Sequence, residues 1–389
     1  MKVLVNTITT KKVTGGAFQI AYNFMCETLN IASSEGIEWL YVVSQDLDKA
    51  IGDQFADLRD VRYFVFPTQP DFRGTYKATK KALRDLERRL KPDLVYTITS
   101  PSYFRFEAVE VMRYTNPWVS HPNRYAWKSL PVRSRIKTWV YCLNQKLLIK
   151  KNKYFITQSH QTKEGIMRVT GRDASNIAVV SNVLPATIAS YDNQRYDKDS
   201  DWIDIACVGT PMSHKNLIIV PDVIKVLERK YSVRNVRFHV TMRTEYKVSK
   251  RVLERIKENE VEDRVVNHGQ IPQKELVEVY KHCQYCFIPT LLEVFSATSL
   301  EAMYFGLPIV ATDFPFNRDV IGDAGLYCRP ADAEDAADKL YTLINNPSLV
   351  EEYVKKEREQ LKKFGNHENH FQSIVEFLFI VYKKEYGNH

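Results

Sequence analysis

Short apolar segments alternate with longer segments of helical periodicity along nearly all of the 389-residue chain. This alternation predicts parallel strands joined by crossover helices, because parallel neighbours need a long connection. We therefore predict an α/β fold with doubly wound sheets. The predicted strands are residues 3–5, 39–43, 63–66, 94–97, 118–120, 155–158 and 177–180 in the first half, and 203–209, 236–241, 265–267, 285–288, 309–311 and 326–327 in the second.

A break in the alternation divides the chain into two halves. The length exceeds what one hydrophobic core usually organises, and it suits two domains. The polar stretch around residues 181–201 has the composition of an interdomain linker. We predict domains at residues 1–184 and 185–368, followed by an aromatic-rich helix within 369–389.

Charge is unevenly divided between the halves. The net charge is +8, but residues 1–184 contain 28 lysines and arginines against 16 acidic residues, whereas the remainder contains 27 against 31. No acidic residue occurs between Glu110 and Glu164, a window with eleven basic residues. This asymmetry predicts an anionic partner for the first half. The chain has no nucleic-acid recognition motif, so we expect no nucleic-acid partner.

The cysteines and the hydropathy of the chain indicate a cytoplasmic protein. No apolar stretch approaches the roughly 20 residues that span a bilayer. The first residues are typical of a buried strand rather than of a signal peptide. Cys283 and Cys286 form a C-x2-C, but no second pair or histidine follows at zinc spacing, so reduced, buried thiols are expected for all six cysteines.

The segment of residues 290–303 lies between two predicted strands. An apolar run, 286–289, precedes it, and Gly306 and a second apolar run, 308–312, follow it. This order predicts a strand, a loop, a helix that stops at Gly306, and a second strand. The start of that helix should present free N–H groups and the positive end of the helix dipole to the loop.

Two glutamates eight positions apart lie in this segment. Glu293 falls in the predicted loop, and Glu301 falls inside the helix, which should begin between Ser296 and Thr298. Carboxylates accept hydrogen bonds from vicinal hydroxyls, and a helix start binds anions, so the combination suits a sugar nucleotide. Two solvated acids on a helix face are the alternative interpretation.

This arrangement resembles the Glu-x7-Glu signature of retaining GT-B glycosyltransferases of the family 4 type. The resemblance extends from the first strand to the final helix. It implies two Rossmann-like domains that face each other across a cleft, with a nucleoside diphosphate sugar bound by the second domain and the acceptor by the first. It also implies that the helix within 369–389 crosses back to the first domain.

The same resemblance assigns roles around the two glutamates. Glu301 should accept hydrogen bonds from both ribose hydroxyls, and Glu293 should bind hydroxyls of the transferred sugar. Relatives often have Gly-Phe-Gly after the first glutamate, where this chain has Val294, Phe295 and Ser296; the bulkier Val294 and Ser296 are expected to narrow the sugar pocket. Ile271 lies in a segment that resembles the nucleobase loop, although an ordinary loop is the alternative. Further predicted donor-binding residues are Phe295, Ser296, Ala297, Thr298 and Ser299.

The loop at 208–216 follows the first strand of the second domain. Gly209 lets the backbone approach a phosphate, and the resemblance implies that Lys215 holds the donor diphosphate and stabilises the leaving group. Relatives usually have an arginine after the glycine, where this chain has Thr210. His214 or a residue of the first domain is the substitute cation that we consider, and a solvated turn lysine is the alternative for Lys215.

In the first half, two features match the family less specifically. Gly15 and Gly16 follow the first strand and open a helix, which permits close approach of the backbone to the diphosphate; a plain turn is the alternative. His121, at the end of the predicted strand 118–120, best matches a histidine that faces the donor sugar. His160 is its competitor, in an apparent strand-to-helix turn.

Residues 132–150 form a predicted helix with an apolar stripe and many basic residues. The alternatives are a core helix with a basic solvent face and a surface that meets an anionic membrane or a lipid-linked diphosphate. The stripe consists of Val132, Ile136, Trp139, Val140, Leu143 and Leu147, and the basic residues are Arg133, Arg135, Lys137, Lys146 and Lys150.

We therefore predict a retaining glycosyltransferase that moves a sugar from a UDP-, GDP- or other NDP-sugar to a saccharide or lipid-linked acceptor in cell-surface polysaccharide or glycoconjugate synthesis. The predicted catalytic residues are His121, Lys215 and Glu293. No strand-flanked Asp-x-Asp occurs, so no metal is expected to be required and no cofactor besides the donor substrate. The location would be cytoplasmic and peripheral at the inner membrane face. The alternatives are a GT-B epimerase, a phosphorylase and a non-catalytic nucleotide-sugar-binding protein.

Overall fold

A computed structural model describes residues 1–11, 16–31, 36–72, 74–196 and 201–387. The chain divides into two compact units. The first consists of Met1–Ser120, Trp139–Val180 and Glu368–His389, and the second of His121–Thr138 and Ser181–His367. The segment His121–Thr138 therefore lies with the second unit, whereas the sequence pattern placed it within a first domain of residues 1–184.

The first unit is built on a sheet whose seven strands, among the described residues, all pair in parallel in the order β3-β2-β1-β4-β5-β6-β7, with Val3 opposite Trp39 and Leu94. Its strands are almost continuously apolar because helices cover both faces. These strands are β1 Lys2–Thr7, β2 Glu38–Ser44, β3 Tyr63–Phe66, β4 Leu94–Thr97, β5 Val109–Arg113, β6 Tyr154–Thr157 and β7 Ile177–Val179.

The second unit repeats the design with a six-stranded parallel sheet, counted over the described residues, in the order β10-β9-β8-β11-β12-β13. Two parallel, doubly wound α/β units confirm the predicted fold class. The strands are β8 Ile203–Ala206, β9 Val236–Val240, β10 Val265–Asn267, β11 Tyr285–Ile288, β12 Ile309–Thr312 and β13 Gly325–Cys328.

Helices connect most of the strands. They are α1 Gly16–Ile31, α2 Gln45–Ile51, α3 Tyr76–Leu90, α4 Pro117–Ser120, α5 Arg124–Ser129, α6 Val132–Ile149, α7 His160–Thr170, α8 Ala186–Ala189, α9 Val220–Tyr231, α10 Lys247–Glu258, α11 Gln273–His282, α12 Ala297–Phe305, α13 Pro315–Ile321, α14 Ala333–Ile344, α15 Pro347–Lys362 and α16 His367–Tyr386. The described residues 98–108, which connect β4 and β5, form no helix.

The prediction of a strand at residues 118–120 is wrong. These residues form the short helix α4, which begins at Pro117, where the fixed φ of proline suits a first helical turn. The strand in this part of the sheet is β5 instead, between β4 and β6. Glu110 and Arg113 interrupt its apolar pattern and hide it from a hydropathy search.

The last helix, α16, packs in the core of the first unit. Its Phe371 ring lies 5.3 Å from the ring of Phe24 and 6.1 Å from that of Trp39, and Ile374 and Leu378 are buried in the same cluster. The helix thus covers the face of β1 and β2 with its apolar side, and the burial of these side chains holds it there.

A glycine allows α7 to approach α4 closely. A Cβ atom at Gly165 would lie 2.1 Å from the backbone oxygen of Ser120, far inside van der Waals contact. Arg168, one turn further along α7, donates from Nη2 to the same oxygen at 3.3 Å. The contact fixes the backbone directly before His121.

Gly165→Ala should therefore destabilise the first unit by about 1–3 kcal/mol, because the added methyl group must displace backbone atoms. The midpoint of thermal unfolding, followed by circular dichroism, measures the effect. Glu164→Ala, at the exposed neighbouring position of α7, is the control and should change stability by less than about 0.5 kcal/mol. Equal midpoints for Gly165→Ala and the wild type would contradict the close contact.

Candidate active site

Two loops of the second unit meet because their strands are neighbours. β8 and β11 pair in parallel, so the loops after their carboxyl ends, residues 207–216 and 289–296, emerge side by side. The Lys215 Nζ lies 2.6 Å from the Glu293 Oε1, and both side chains are 20% exposed. The Leu291 N–H also donates to the His214 carbonyl at 2.7 Å. The structure therefore places two of the three predicted catalytic residues in direct contact.

One carboxylate oxygen of Glu293 is left over. Oε1 accepts from Lys215, whereas Oε2 is buried and has no hydrogen-bond partner among the described residues. A buried acceptor without a donor costs about 1–3 kcal/mol. A ligand hydroxyl placed at Oε2 would remove that cost, so the carboxylate is prepared to receive one.

The segment of His121–Thr138 holds the Glu293 loop from the other side. The His121 Nε2 lies 2.7 Å from the Glu293 carbonyl oxygen, and because a carbonyl can only accept, Nε2 carries the hydrogen. The Asn123 Nδ2 donates to the Leu291 carbonyl at 2.6 Å. His121 therefore contacts the predicted site, but through the backbone of Glu293. Asn123 has no distinctive sequence signal beyond its position as the N-cap of α5.

Helix α12 begins at Ala297, within the range that the sequence predicts. Ser296 is its N-cap residue, and Gly306 ends it with φ +62°, which favours glycine. In the first turn the N–H groups of Ala297 and Thr298 have no acceptor among the described residues, whereas the Ser299 N–H donates to the Ser296 carbonyl at 3.2 Å. The hydroxyl of Ser299 is buried and has no partner among the described residues. The helix start thus offers donors to an anion, as expected.

Glu301 lies on α12 and is buried. Its Oε2 accepts a hydrogen bond from the Tyr280 hydroxyl at 2.6 Å. Desolvation raises the pKa of the Glu301 carboxyl, and the hydrogen bond from Tyr280 and the nearby charge of Lys215 act in the opposite direction. One of the two oxygens assigned to the ribose is thus already paired. Nothing in the sequence marks Tyr280 as a site residue, because a tyrosine on an amphipathic helix is typical of the hydrophobic core.

The packing after Glu293 does not support a narrowed sugar pocket. Val294 and Phe295 are buried in a hydrophobic cluster with Leu300 and Val320, and the Phe295 ring lies 5.6 Å from the Phe364 ring. The bulk that replaces glycine thus fills the interior of the second unit. The Phe295 side chain therefore packs in the interior and does not line a sugar pocket.

The loop after β8 contains Gly209 at a positive φ, and Lys215 is its only lysine or arginine. Gly209 has φ +149°, and its N–H donates to the Thr241 Oγ1 at 2.9 Å, while Thr210 is exposed. Desolvation, with a contribution from Lys215, lowers the pKa of His214 to about 3. The lowered pKa favours the neutral imidazole, which argues against His214 as the substitute cation.

A chain of hydrogen bonds anchors the segment at 268–272. The Asp204 carboxylate lies 2.9 Å from the His239 Nε2, and the His239 Nδ1 lies 2.9 Å from the His268 Nε2. Gly269 follows with φ +70°. Ile271 is half-buried against the core of the second unit, so only part of its surface is available for stacking.

The remaining predicted positions are less informative. Gly15 lies outside the described residues, and Gly16 is the first residue of α1. His160 is the exposed first residue of α7. Within the described ranges, no group of three or more histidines, cysteines, aspartates or glutamates could hold a metal ion. All six cysteines are free thiols.

Comparisons by sequence and by structure find similarity to glycosyltransferases. Residues 192–365 match the family model of Glycosyl transferases group 1. The O-antigen chain mannosyltransferase RfbU of Salmonella typhimurium is 23% identical over 208 residues, 54% of this chain and 56% of that protein. O-antigen chain mannosyltransferase B of Escherichia coli is 28% identical over 97 residues, 25% of this chain and 26% of that protein. The chain thus aligns with about half the length of RfbU and a quarter of the second relative.

Solved structures show the same fold over the whole chain. A glycosyltransferase from Rickettsia africae has a TM-score of 0.71 at 13% identity, covering 100% of this chain and 99% of its own. HepE of Anabaena in complex with UDP-glucose has a TM-score of 0.70 at 14% identity, covering 97% and 99%. At these identities the similarity establishes the fold, which is GT-B.

The hydrogen bond between Tyr280 and Glu301 should be measurable. Tyr280→Phe leaves the buried carboxylate of Glu301 without this donor and should lower the stability of the second unit by about 1–3 kcal/mol. Tyr341→Phe is the control, since its hydroxyl makes no hydrogen bond among the described residues. Thermal unfolding midpoints that fall equally in both variants would contradict the contribution of the Tyr280 hydrogen bond.

Proposed function

Because residues 192–365 match the model of Glycosyl transferases group 1 and the chain has the GT-B fold, we propose that this protein transfers a sugar from a nucleoside diphosphate donor to a saccharide or lipid-linked saccharide. The contact of Lys215 with Glu293 beside the start of α12 is the observation that supports it most. This site combines a cation and free N–H groups for a diphosphate with an unpaired carboxylate oxygen for a sugar hydroxyl.

The site residues suggest how the reaction is accelerated. Negative charge develops on the diphosphate as its bond to the anomeric carbon breaks, and fixed donors aimed at that charge lower the barrier. Lys215 and the first turn of α12 would supply these donors. Glu293 would hold the sugar, and Glu301 would bind the ribose. We propose transfer with retention of anomeric configuration, without a required metal ion, in which the leaving phosphate helps to deprotonate the acceptor hydroxyl.

The relatives suggest the class of product. RfbU and mannosyltransferase B are named for O-antigen chain synthesis, and HepE was solved with UDP-glucose. We propose that this protein acts in the synthesis of a cell-surface polysaccharide. Its donor would be a UDP- or GDP-activated hexose.

Thermal-shift screening of UDP-, GDP-, ADP- and dTDP-sugars, followed by product analysis with the stabilising donor, tests this proposal. We expect release of the nucleoside diphosphate only when a saccharide acceptor is present, and activity that survives EDTA. Glu301→Gln should weaken donor binding by about 1–3 kcal/mol, because a charge-assisted hydrogen bond becomes a neutral one. Donor turnover without an acceptor, yielding an epimerised sugar nucleotide, would overturn the proposal.

Lys215→Ala should lower turnover more than it weakens donor binding, since the charge that Lys215 meets grows as the bond breaks. Steady-state kinetics and calorimetry on the same variant separate the two effects. Lys225→Ala, on the exposed part of α9, is a control that also removes one positive charge. Turnover equal to that of the control would return Lys215 to the role of a solvated turn lysine.

Helix α6 supports a membrane-surface location. Its apolar stripe is exposed, from 40% at Leu143 to 69% at Val132, whereas Cys142, Gln145 and Ile149 are the residues that face the protein. The interpretation of this stripe as part of the core is therefore wrong for the described residues. No helix in the described ranges is long and apolar enough to cross a bilayer.

The charge around this helix favours an anionic bilayer as its partner. Arg133 and Lys137 are exposed beside the apolar residues and have no acidic partner within 4 Å among the described residues. Basic side chains near an anionic surface contribute about 1 kcal/mol each, and exposed apolar side chains enter the interface. We propose that α6 lies on the membrane that carries the acceptor.

Arg133→Gln with Lys137→Gln should release the protein from vesicles that contain anionic phospholipid, in a salt-dependent way, while thermal stability is unchanged. Arg135 is left intact because it donates to the Leu130 and Lys128 carbonyls. Vesicle sedimentation measures binding.

Lys250→Gln with Lys257→Gln, two exposed lysines of α10 without acidic partners among the described residues, is the matched control. This variant should sediment like the wild type. Equal sedimentation of wild type with anionic and neutral vesicles, or none with either, would contradict membrane binding through α6.

A further inference from the structure

The first unit contains a cavity beside β5, where the described residues between β4 and β5 form no helix. Helix α3 and the end of α6 are not bridged by a crossover helix here, so the surface over β5 stays open. The resulting cavity has a volume of about 450 Å³, within the range of small-ligand sites. It shares no residue with the predicted donor site, whose residues Lys215, Glu293 and Glu301 belong to the second unit.

Cations from three parts of the chain converge on this cavity. Lys80 and Arg84 come from α3, Arg105 from the connection between β4 and β5, and Lys151 from the turn after α6. None of the four has an acidic group within 4 Å among the described residues. The fifth cation of the lining, Lys153, is already neutralised by Glu385 at 2.5 Å. Four unpaired positive charges around one concavity attract an anion and raise its local concentration.

Aromatic side chains form part of the cavity wall, and stacking and hydrogen bonds hold them in place. The rings of Tyr76 and Phe104 stack at 5.2 Å, and the Tyr76 hydroxyl donates to the Tyr103 carbonyl at 2.9 Å. The Gln145 Nε2 reaches the Tyr103 hydroxyl at 3.5 Å. A ligand with an anionic group and a sugar or apolar body would contact both the cations and these rings.

One carboxyl group, Glu110, also lines the cavity. It accepts a hydrogen bond from the Thr97 hydroxyl, and desolvation raises its pKa to about 7, with a further increase from Glu87. The raised pKa favours its neutral form, and a single carboxyl group opposes an anion only weakly beside the four cations Lys80, Arg84, Arg105 and Lys151.

We propose that this cavity is a second ligand site, which binds the phosphate group of a phosphomonoester or phosphodiester with a sugar or glycerol body. Arg84 and Arg105 supply planar donor pairs that match phosphate oxygens, and Lys80 and Lys151 supply point charges. The ligand is either a soluble phosphorylated metabolite or the headgroup of an anionic phospholipid, since both present this chemistry. Binding here does not depend on the proposed sugar transfer.

Calorimetric titration of the full chain with glycerol 3-phosphate, and separately with nanodiscs containing phosphatidylglycerol, tests the proposal and distinguishes the two sources. The nanodisc titrations are made with Arg133→Gln and Lys137→Gln present in every variant, so that binding through α6 does not contribute. Nanodiscs of phosphatidylcholine alone are the reference. The variant Arg84→Gln with Arg105→Gln should weaken the binding of whichever probe binds by about tenfold or more, because each lost arginine removes charge-assisted hydrogen bonds. Glu110→Gln should retain binding.

The matched control is Lys77→Gln with Lys81→Gln, two exposed positions of α3 outside the cavity that remove the same charge. Its affinity for the probe should equal that of the wild type. Binding of neither probe, or an equal loss in the cavity variant and the control, would overturn the proposal, and so would loss of binding in Glu110→Gln. Donor-sugar binding, measured alongside, should be unchanged in all three variants, so the result is independent of the transferase assignment.

Discussion

The adjacency of β8 and β11 in a parallel sheet is the constraint on which the candidate active site depends. Parallel neighbours deliver their following loops to the same edge, and this brings Lys215 within 2.6 Å of Glu293 although 78 residues separate them. Helix α12 begins at Ala297, shortly after Glu293 in the sequence, because the connection from β11 to the parallel strand β12 must cross back over the sheet. The cation, the carboxylate and the free N–H groups are thus three consequences of one topology.

The ion pair between Lys215 and Glu293 affects how a ligand could bind at this site. In the structure Lys215 is paired with Glu293, so under the proposed function a diphosphate would share or take over this cation. Glu293 keeps its second oxygen unpaired at the same time, and His121 and Asn123 hold the loop backbone that carries it. A rigid loop with an unpaired acceptor fits the binding of a sugar hydroxyl better than an adaptable loop would, because less order remains to be imposed on binding.

Much of the fold could be predicted from the sequence, because the alternation of short apolar segments with segments of helical periodicity indicates parallel strands and crossover helices. The segment around Glu293 and Glu301 was predictable for a local reason: Gly306 and the flanking apolar runs define the helix. Tertiary effects could not be predicted. Tyr280 pairs with Glu301 across two helices, desolvation lowers the pKa of His214, and the side chain of Val294 packs into the core. The segment 121–138 joins the second unit, which periodicity does not report.

Charge differs between the two halves of the sequence: the residues proposed to bind the donor lie in the mildly acidic half, and the cations around the cavity of the first unit lie in the basic half. A crystal structure with a bound nucleoside diphosphate sugar tests the central assignment most directly. We predict a diphosphate oxygen within about 2.7–3.2 Å of the Lys215 Nζ, a sugar hydroxyl at the same distance from the Glu293 Oε2, and the ribose at Glu301. A nucleotide bound elsewhere, with the pair of Lys215 and Glu293 undisturbed and Oε2 still unpaired, would contradict the account.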